Sequence, residues 1–142
     1  MIVLDQKTLR RLQQAELEIL LEVDRICRKN HIHYTLTGGT LLGAVRHSGF
    51  IPWDDDADIA MLRSEYRKFQ QACQTDLDTD RFYFQDIEHT PGYRWGYGKV
   101  RRKDSVFLRE DQEGMPYEQG IFLDVFPRDG VPDGLVMRKV HT

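Results

Sequence analysis

The sequence predicts an α+β domain in which a mixed β-sheet is flanked by helices. Three observations support this fold class: a long amphipathic segment opens the chain, short alternating segments follow, and residues 121–126 are apolar on both faces except at Asp124. A run that is apolar on both faces is typical of a central strand. The predicted order, a helix followed by strands mixed with helices, leaves α/β as the alternative class.

Residues 6–29 are predicted to form one long amphipathic helix that ends near Asn30. Glu16 is the exception on its inner face. The apolar positions at helical spacing are Leu9, Leu12, Ile19, Leu20, Val23, Ile26 and Cys27.

Alternation at Ile32, Tyr34 and Leu36 predicts a strand that runs into Gly38-Gly39. A short helix over residues 41–47 should follow and should be broken by Gly49.

The second half of the chain predicts one further helix and several strands. A strand over residues 57–62 should lead into a helix that Ser64 caps and that turns Phe69, Ala72 and Cys73 inward. Alternating or apolar patterns predict strands over residues 82–87, 95–101 and 106–109, and a last helix begins within 135–140. We expect residues 1–142 to form a single domain that is truncated at its C-terminal end.

Composition narrows the classes of protein to be considered. With 40% hydrophobic residues the chain is expected to be globular, and 20 Lys and Arg against 23 Asp and Glu give no basic surplus for nucleic acid. No apolar run is long enough for a transmembrane segment. Cys27 and Cys73 lack CxxC spacing, which favours reduced, buried thiols in a cytoplasmic protein. Peripheral attachment to the inner face of the membrane is a further expectation.

The acidic cluster Asp54-Asp55-Asp56-Ala57-Asp58 is the most informative feature of the chain. Four carboxylates in five residues repel one another, and a packed domain rarely tolerates this without a cation. Alternation along a strand through residues 57–62 would place Asp56 and Asp58 on one face. Asp124, a carboxylate in an otherwise apolar strand, is costly to bury unless it is paired or bound to metal.

Asp56, Asp58 and Asp124 are therefore the predicted metal ligands, and hard carboxylate oxygens suit Mg²⁺, with Mn²⁺ as an alternative. The competing interpretation is a solvated acidic turn with Asp124 paired to an Arg. The spacing of the carboxylates also resembles that of a calcium-binding EF-hand loop. However, Ile59 occupies the position where such a loop needs Gly, so we treat the spacing as coincidence.

Candidate phosphate-binding groups surround the acidic cluster in sequence. Gly38-Gly39-Thr40 ends a predicted strand and opens a helix, where backbone N–H groups can approach an anion. Cationic or titratable side chains that could contact phosphate are Arg46, His47, Lys99 and Arg101. Ordinary surface charge is the alternative for the Arg and Lys residues, and a structural hydrogen bond is the alternative for His47.

Four aromatic residues could form a cation–π box around a quaternary ammonium group: Tyr34, Trp53, Trp95 and Tyr97. Core or rim packing is the more common role of aromatic side chains in a domain of this size, and it is the favoured interpretation here.

Two long stretches resemble the LicD family, which is named for bacterial phosphocholine transferases and is related to fukutin-type sugar phosphotransferases. The first is Thr37-Gly38-Gly39-Thr40-Leu41-Leu42-Gly43-Ala44-Val45-Arg46-His47, followed by Gly49-Phe50-Ile51-Pro52-Trp53-Asp54-Asp55-Asp56-Ala57-Asp58-Ile59. The second is Gly120-Ile121-Phe122-Leu123-Asp124-Val125-Phe126-Pro127. The resemblance implies a nucleotidyltransferase-like fold.

The resemblance also implies a function for the matched residues. It identifies Asp56 and Asp58 as the metal-binding pair, Asp124 as the third carboxylate and Gly38-Gly39 as the glycine turn. Asp54 and Asp55 belong to the signature, but strand alternation assigns them to ordering the loop rather than to direct binding.

The implied reaction moves a phospho-substituent, such as phosphocholine, from a CDP-activated donor to a hydroxyl of a glycan, teichoic acid or polyol phosphate. In our hypothesis Asp124, or alternatively His47, accepts the proton of the attacking hydroxyl. Arg46 or Lys99 offsets charge on the leaving nucleotide, while Arg101 assists Gly38, Gly39 and Thr40 in donor binding.

Two other functions remain open. The same aspartates could serve true nucleotidyl transfer from a nucleoside triphosphate, which would release pyrophosphate. A non-catalytic nucleotide-binding module would instead show metal-dependent ligand binding without turnover.

Overall fold

A computed structural model gives the structure of the chain and describes residues 5–105 and 119–129. Three helices and five strands lie within these residues: α1 (Gln6–Lys29), β1 (Thr35–Leu36), α2 (Gly38–His47), β2 (Asp58–Leu62), α3 (Arg63–Asp76), β3 (Phe82–Gln85), β4 (Gly98–Arg102) and β5 (Phe122–Arg128). Together they form one mixed sheet with flanking helices, which confirms the predicted α+β class.

The strands lie in the order β1-β2-β5-β4-β3, so β5 occupies the centre of the described sheet, as predicted. The β2–β5 pair is parallel, whereas β1 pairs with β2, β4 with β5 and β3 with β4 in antiparallel orientation. The only parallel pair among the described strands therefore joins the segment that carries the acidic cluster to the segment that carries Asp124.

Helix α1 covers the sheet with a face that local sequence defines well. The side chain of Asp5 caps its start by accepting a hydrogen bond from the Thr8 amide at 2.7 Å, and Asn30 caps its end. Ile19, Val23 and Ile26 are fully buried in the main core cluster. Glu16, the exception in the apolar pattern, is buried on the same face.

The Pro at position 127 lies in β5 without interrupting the centre of the sheet. Pro127 is in register with Met61 of β2, but the antiparallel pairing with β4 ends at the Gly98–Val125 pair. A proline, which has no N–H to donate, is thus tolerated where the described strand has a neighbour on one side.

Several predicted boundaries move in the structure. The strand expected at Ile32–Leu36 shrinks to Thr35–Leu36, because these are the residues that pair with β2. Helix α2 begins at Gly38, so the glycine turn forms its first turn. Ser64 lies inside α3, whose N-cap is Leu62, so the predicted Ser64 cap is wrong.

The later elements also differ in extent. Strand β3 ends at Gln85 instead of residue 87, and β4 spans Gly98–Arg102 instead of 95–101. The predicted strand at 106–109 and the predicted helix within 135–140 lie outside the described residues. Cys27 and Cys73 are both free and buried, as expected.

Candidate active site

The parallel pairing of β2 and β5 places two of the predicted ligands side by side. Asp58 opens β2 and is in direct register with Asp124 of β5. The Asp124 amide donates to the Ala57 carbonyl at 3.1 Å, which fixes the two strands relative to each other at this point. Two carboxylates 66 positions apart in sequence thus lie side by side on neighbouring interior strands of the sheet.

The start of α2 lies against Asp58. Gly38 has a φ of +57°, and a Cβ at this position would lie 3.6 Å from Asp58 Oδ2. The Asp58 amide donates to Thr40 Oγ1 at 2.8 Å, while the Thr37 amide donates to the Asp58 carbonyl at 3.2 Å. Because first-turn amides have no acceptor within their own helix, the N-terminus of α2 contributes positive electrostatic potential beside the carboxylate.

The loop before β2 adds three more carboxylates. Asp54, Asp55 and Asp56 each offer an oxygen that lies within 4.8 Å of the other two. Asp54 also packs closely on α2, since a Cβ on Gly39 would lie 2.5 Å from Asp54 Oδ2. Asp56 lies before the strand rather than within it, so proximity in the loop, not strand alternation, brings it to the cluster.

The electrostatics of the cluster are those of carboxylates in need of a counter-charge. Burial, followed by the charges of Asp56 and Asp124, raises the pKa of Asp58 to about 7. Burial and the charge of Asp56 raise the pKa of Asp54 to about 6. Hard oxygen ligands that destabilise one another's ionised forms fit a divalent cation such as Mg²⁺, which would relieve this repulsion.

Lys99 of β4 brings a cationic side chain to these carboxylates. Its Nζ donates to Asp124 Oδ1 at 2.6 Å, and its side chain is only 1% exposed. The same Nζ lies 3.7 Å from the centre of the Phe122 ring. The competing interpretation paired Asp124 with an Arg; its basic partner is a lysine.

The other basic candidates lie in different surroundings. Arg101 is fully buried, where its guanidinium donates to Gln85 Oε1 at 2.6 Å and to the Gly120 carbonyl at 2.7 Å. Arg46 and His47 are exposed in the last turn of α2. At 1.5 Å per residue, the helix separates them from Gly38 by about 12 Å along its axis.

The four aromatic residues considered for a cation–π box each have a different neighbour. The Trp53 and His47 rings form a T-shaped pair with their centroids 6.0 Å apart, and Trp95 packs on Tyr93 with a centroid distance of 5.5 Å. Tyr97 packs on Phe126 at 4.6 Å, while the Tyr34 hydroxyl donates to Asp24 at 2.8 Å. Packing thus accounts for Trp95 and Tyr97, and Tyr34 is partly buried against the core, whereas Trp53 is 73% exposed.

One residue that anchors the acidic loop was not found from sequence. Gln13 of α1 is buried and its Nε2 donates to the carbonyls of Ile51, at 3.2 Å, and Asp54, at 2.9 Å. The available signal was a polar side chain beside Leu12 on the inner face of a predicted amphipathic helix. Such a residue needs a hydrogen-bonding partner when buried, but its two partners in the loop lie 38 and 41 positions away.

Carboxylates from a parallel strand pair lie at the N-terminus of a helix that follows a short edge strand. This arrangement is consistent with a nucleotidyltransferase-like domain. The sequence profile described as "LicD/FKTN/FKRP, nucleotidyltransferase domain" matches residues 31–133. This match covers most of the chain, which belongs to the LicD/FKTN/FKRP family.

Named relatives agree with this membership. The chain is 36% identical over 126 residues to the lipopolysaccharide cholinephosphotransferase LicD of Haemophilus influenzae, a match that covers 89% of this chain and 46% of that protein. It is 42% identical over 40 residues to the human ribitol 5-phosphate transferase FKRP, covering 28% of this chain and 8% of that protein. The chain thus spans less than half the length of these relatives.

Among the described residues, no helix has the length and apolar character needed to cross a membrane.

Proposed function

We propose that this chain is the catalytic domain of a phosphotransferase that moves a phospho-substituent from a CDP-activated donor to a hydroxyl of a glycan or polyol phosphate. The observation that carries the proposal is the register of Asp58 with Asp124, beside the N-terminus of α2 and the carboxylates of the loop. Relatives that are named for cholinephosphate and ribitol 5-phosphate transfer support the reaction class. Phosphocholine is therefore the first group to test.

Metal binding and phosphate binding are assigned to different groups of the site. Asp56, Asp58 and Asp124 would hold Mg²⁺, with Mn²⁺ as the alternative, and the bound ion would offset the charge of the donor diphosphate. Backbone amides of Gly38 and Gly39, in the first turn of α2, would bind phosphate oxygens in this scheme, because a helix N-terminus favours anions. Thr40 supports this arrangement indirectly, since its hydroxyl accepts a hydrogen bond from the Asp58 amide.

Proton transfer is assigned to a carboxylate of the central strand β5. Asp124 accepts the proton of the attacking hydroxyl in this scheme, and Lys99 holds one of its two oxygens in place. Because Lys99 is buried against Asp124, its charge acts through that carboxylate rather than by direct contact with the leaving nucleotide. Arg46, which is exposed, remains the candidate for that contact, and His47 remains the alternative base.

The test is a turnover assay with CDP-choline or CDP-ribitol as donor, a polyol phosphate or glycan acceptor, and either Mg²⁺ or a chelator. We expect release of CMP that requires the metal, and Asp58→Asn should reduce it by at least about 100-fold, as expected for loss of a direct metal ligand. Asp80→Asn, at an exposed aspartate outside the cluster, is the matched control and should keep wild-type turnover.

Other reaction products would identify a different function. Release of pyrophosphate from a nucleoside triphosphate would identify nucleotidyl transfer instead. Metal-dependent donor binding with no product would identify a nucleotide-binding module. CMP release by Asp58→Asn at the rate of the Asp80→Asn control would contradict the assigned metal site.

A further inference from the structure

The buried amide of Gln13 connects α1 to the acidic loop. Gln13 is 1% exposed, and its Nε2 donates to two loop carbonyls, those of Ile51 and Asp54. An amide nitrogen has two hydrogens, so both are used to hold backbone on either side of Pro52-Trp53. A single side chain from the first helix therefore fixes the turn that leads into the carboxylates.

The orientation of this amide is set by a third group. Arg10 Nη1 donates to Gln13 Oε1 at 3.2 Å. A guanidinium can only donate and a carbonyl can only accept, so the two kinds of neighbour require the same orientation of the Gln13 side chain. Arg10 itself is exposed, which makes it the outer member of a chain of hydrogen bonds that ends at the loop.

The position of the loop matters because Asp54 packs closely on the start of α2. The Asp54 amide donates to the Ile51 carbonyl at 3.0 Å, closing the turn, and the Asp55 amide donates to Asp54 Oδ1 at 3.1 Å. On the other side, Asp54 Oδ2 lies so near Gly39 that a methyl group there would overlap it. A small movement of the 51–54 turn would therefore move carboxylate oxygens relative to the start of α2.

We infer that Gln13 is a positioning residue that holds the acidic loop in the geometry needed to bind a divalent cation. This inference rests on the proposed function, because it assumes that the carboxylate cluster holds a metal. Gln13 does not contact the metal in this assignment. It acts through the backbone of Ile51 and Asp54, as groups that orient metal ligands commonly do.

The test measures Mn²⁺ affinity directly, by titration with detection of free Mn²⁺, on the wild-type chain and on Gln13→Leu. Loss of a group that orients metal ligands typically weakens metal binding by about 10- to 100-fold, and we expect a loss at the lower end of that range. Gln14→Leu is the matched control, since Gln14 is the exposed neighbour on the same helix and its replacement should leave affinity unchanged. Without metal, hydrogen exchange at the backbone amides of residues 51–56 should be faster in Gln13→Leu than in the wild type and in Gln14→Leu.

A second variant covers the case in which Gln13→Leu fails to fold. Arg10→Ala removes only the outer hydrogen bond and should weaken Mn²⁺ binding in the same direction, by less. If the wild-type chain binds Mn²⁺ and both variants match it, the positioning role is overturned while the metal site stands. If the wild-type chain itself binds no Mn²⁺, the proposed metal site fails, and the role of Gln13 fails with it.

Discussion

The ion pair between Lys99 and Asp124 places a lysine in the interior of the sheet. Its side chains are 1% and 14% exposed, so solvent screens the pair far less than it would a surface pair. Removing one member of such a pair leaves a charge in a poorly solvated place. Lys99 is therefore expected to be needed for folding as well as for chemistry.

Lys99→Met should lower the free energy of unfolding by about 3 kcal/mol, the usual cost of leaving a buried partner unpaired. Urea denaturation at neutral pH with a chelator present measures this. Lys68→Met is the matched control, because Lys68 is 61% exposed in its pair with Glu65 and should change stability by less than about 0.5 kcal/mol. Equal stability of the two variants would show that the Lys99 pair contributes nothing beyond an exposed one.

The raised pKa of Asp58 makes stability depend on pH in a defined direction. The ordinary pKa is 3.8 and burial together with neighbouring carboxylates raises it to about 7 in the folded chain. Between these values the folded state holds a proton that the unfolded state has released. The stabilisation from the protonated form is thus complete below pH 3.8 and is lost as pH rises through 7.

Asp58→Asn removes this titration. The free energy of unfolding of the variant should therefore increase relative to that of the wild type as pH rises from 5 to 8. We expect a relative gain on the order of 2 kcal/mol after allowance for solvent screening. Denaturation curves in chelator at several pH values measure it. His89, whose pKa is raised by its hydrogen bond to Asp86, gives a decline of the same sign in both proteins and cancels in the comparison. Parallel stability curves would refute the coupling.

At the level of elements, α2 shows how two glycines in one helix can have different roles. A Cβ on Gly39 would lie 2.5 Å from Asp54 Oδ2, the end of a movable side chain. A Cβ on Gly43 would lie 2.4 Å from the Gly49 carbonyl oxygen and 2.8 Å from the Ile51 amide nitrogen, both parts of the backbone. The first contact concerns the site and the second concerns the fold.

Gly39→Ala should therefore keep stability within about 1 kcal/mol of the wild type, since alanine favours the helix by a similar amount, yet weaken Mn²⁺ binding by displacing Asp54. Gly43→Ala should destabilise the chain by about 1 to 3 kcal/mol, because backbone has to move to make room. Thermal unfolding and a Mn²⁺ titration separate the two effects. Equal behaviour of the variants in both measurements would contradict this division.

Elements defined by local signals could be predicted from the sequence, and those defined by distant partners could not. The bounds of α1 follow from its periodicity and from the stop at Asn30, and the structure adds a cap at Asp5. The two-residue length of β1 depends on its pairing with β2, which no local pattern records. Ser64 was expected to cap α3, but β2 runs directly into that helix, and Leu62 takes the cap position.

The candidate site follows the same division. Asp58 and Asp124 could be predicted as ligands of one metal ion, because carboxylates in apolar strands need a counter-charge. Their register, however, depends on the strand order of the whole sheet. The contact of Lys99 with Asp124 and that of Gln13 with the loop join positions 25 and 41 apart. Spacing along the chain carries no signal for either contact.

At the scale of the whole molecule, β5 joins the two parts of the sheet. It pairs with β2 on one side and with β4 on the other, and Leu123 and Val125 are fully buried. Breaking these pairs requires separation of both neighbours and loss of the core above them. The edge strand β1 has two residues, of which Thr35 is exposed, and it pairs with β2.

Amide hydrogen exchange should therefore be slowest in β5, where we expect opening to require global unfolding. The amides of Leu123 and Val125 should be protected at least about 100-fold more than those of Thr35 and Leu36, which can exchange through local opening at the sheet edge. A destabilising change such as Lys99→Met should lower the protection of Leu123 and Val125 by the full loss in unfolding free energy and leave that of β1 nearly unchanged. Equal losses in the two strands would mean that the sheet opens as a single unit, without a separately opening edge.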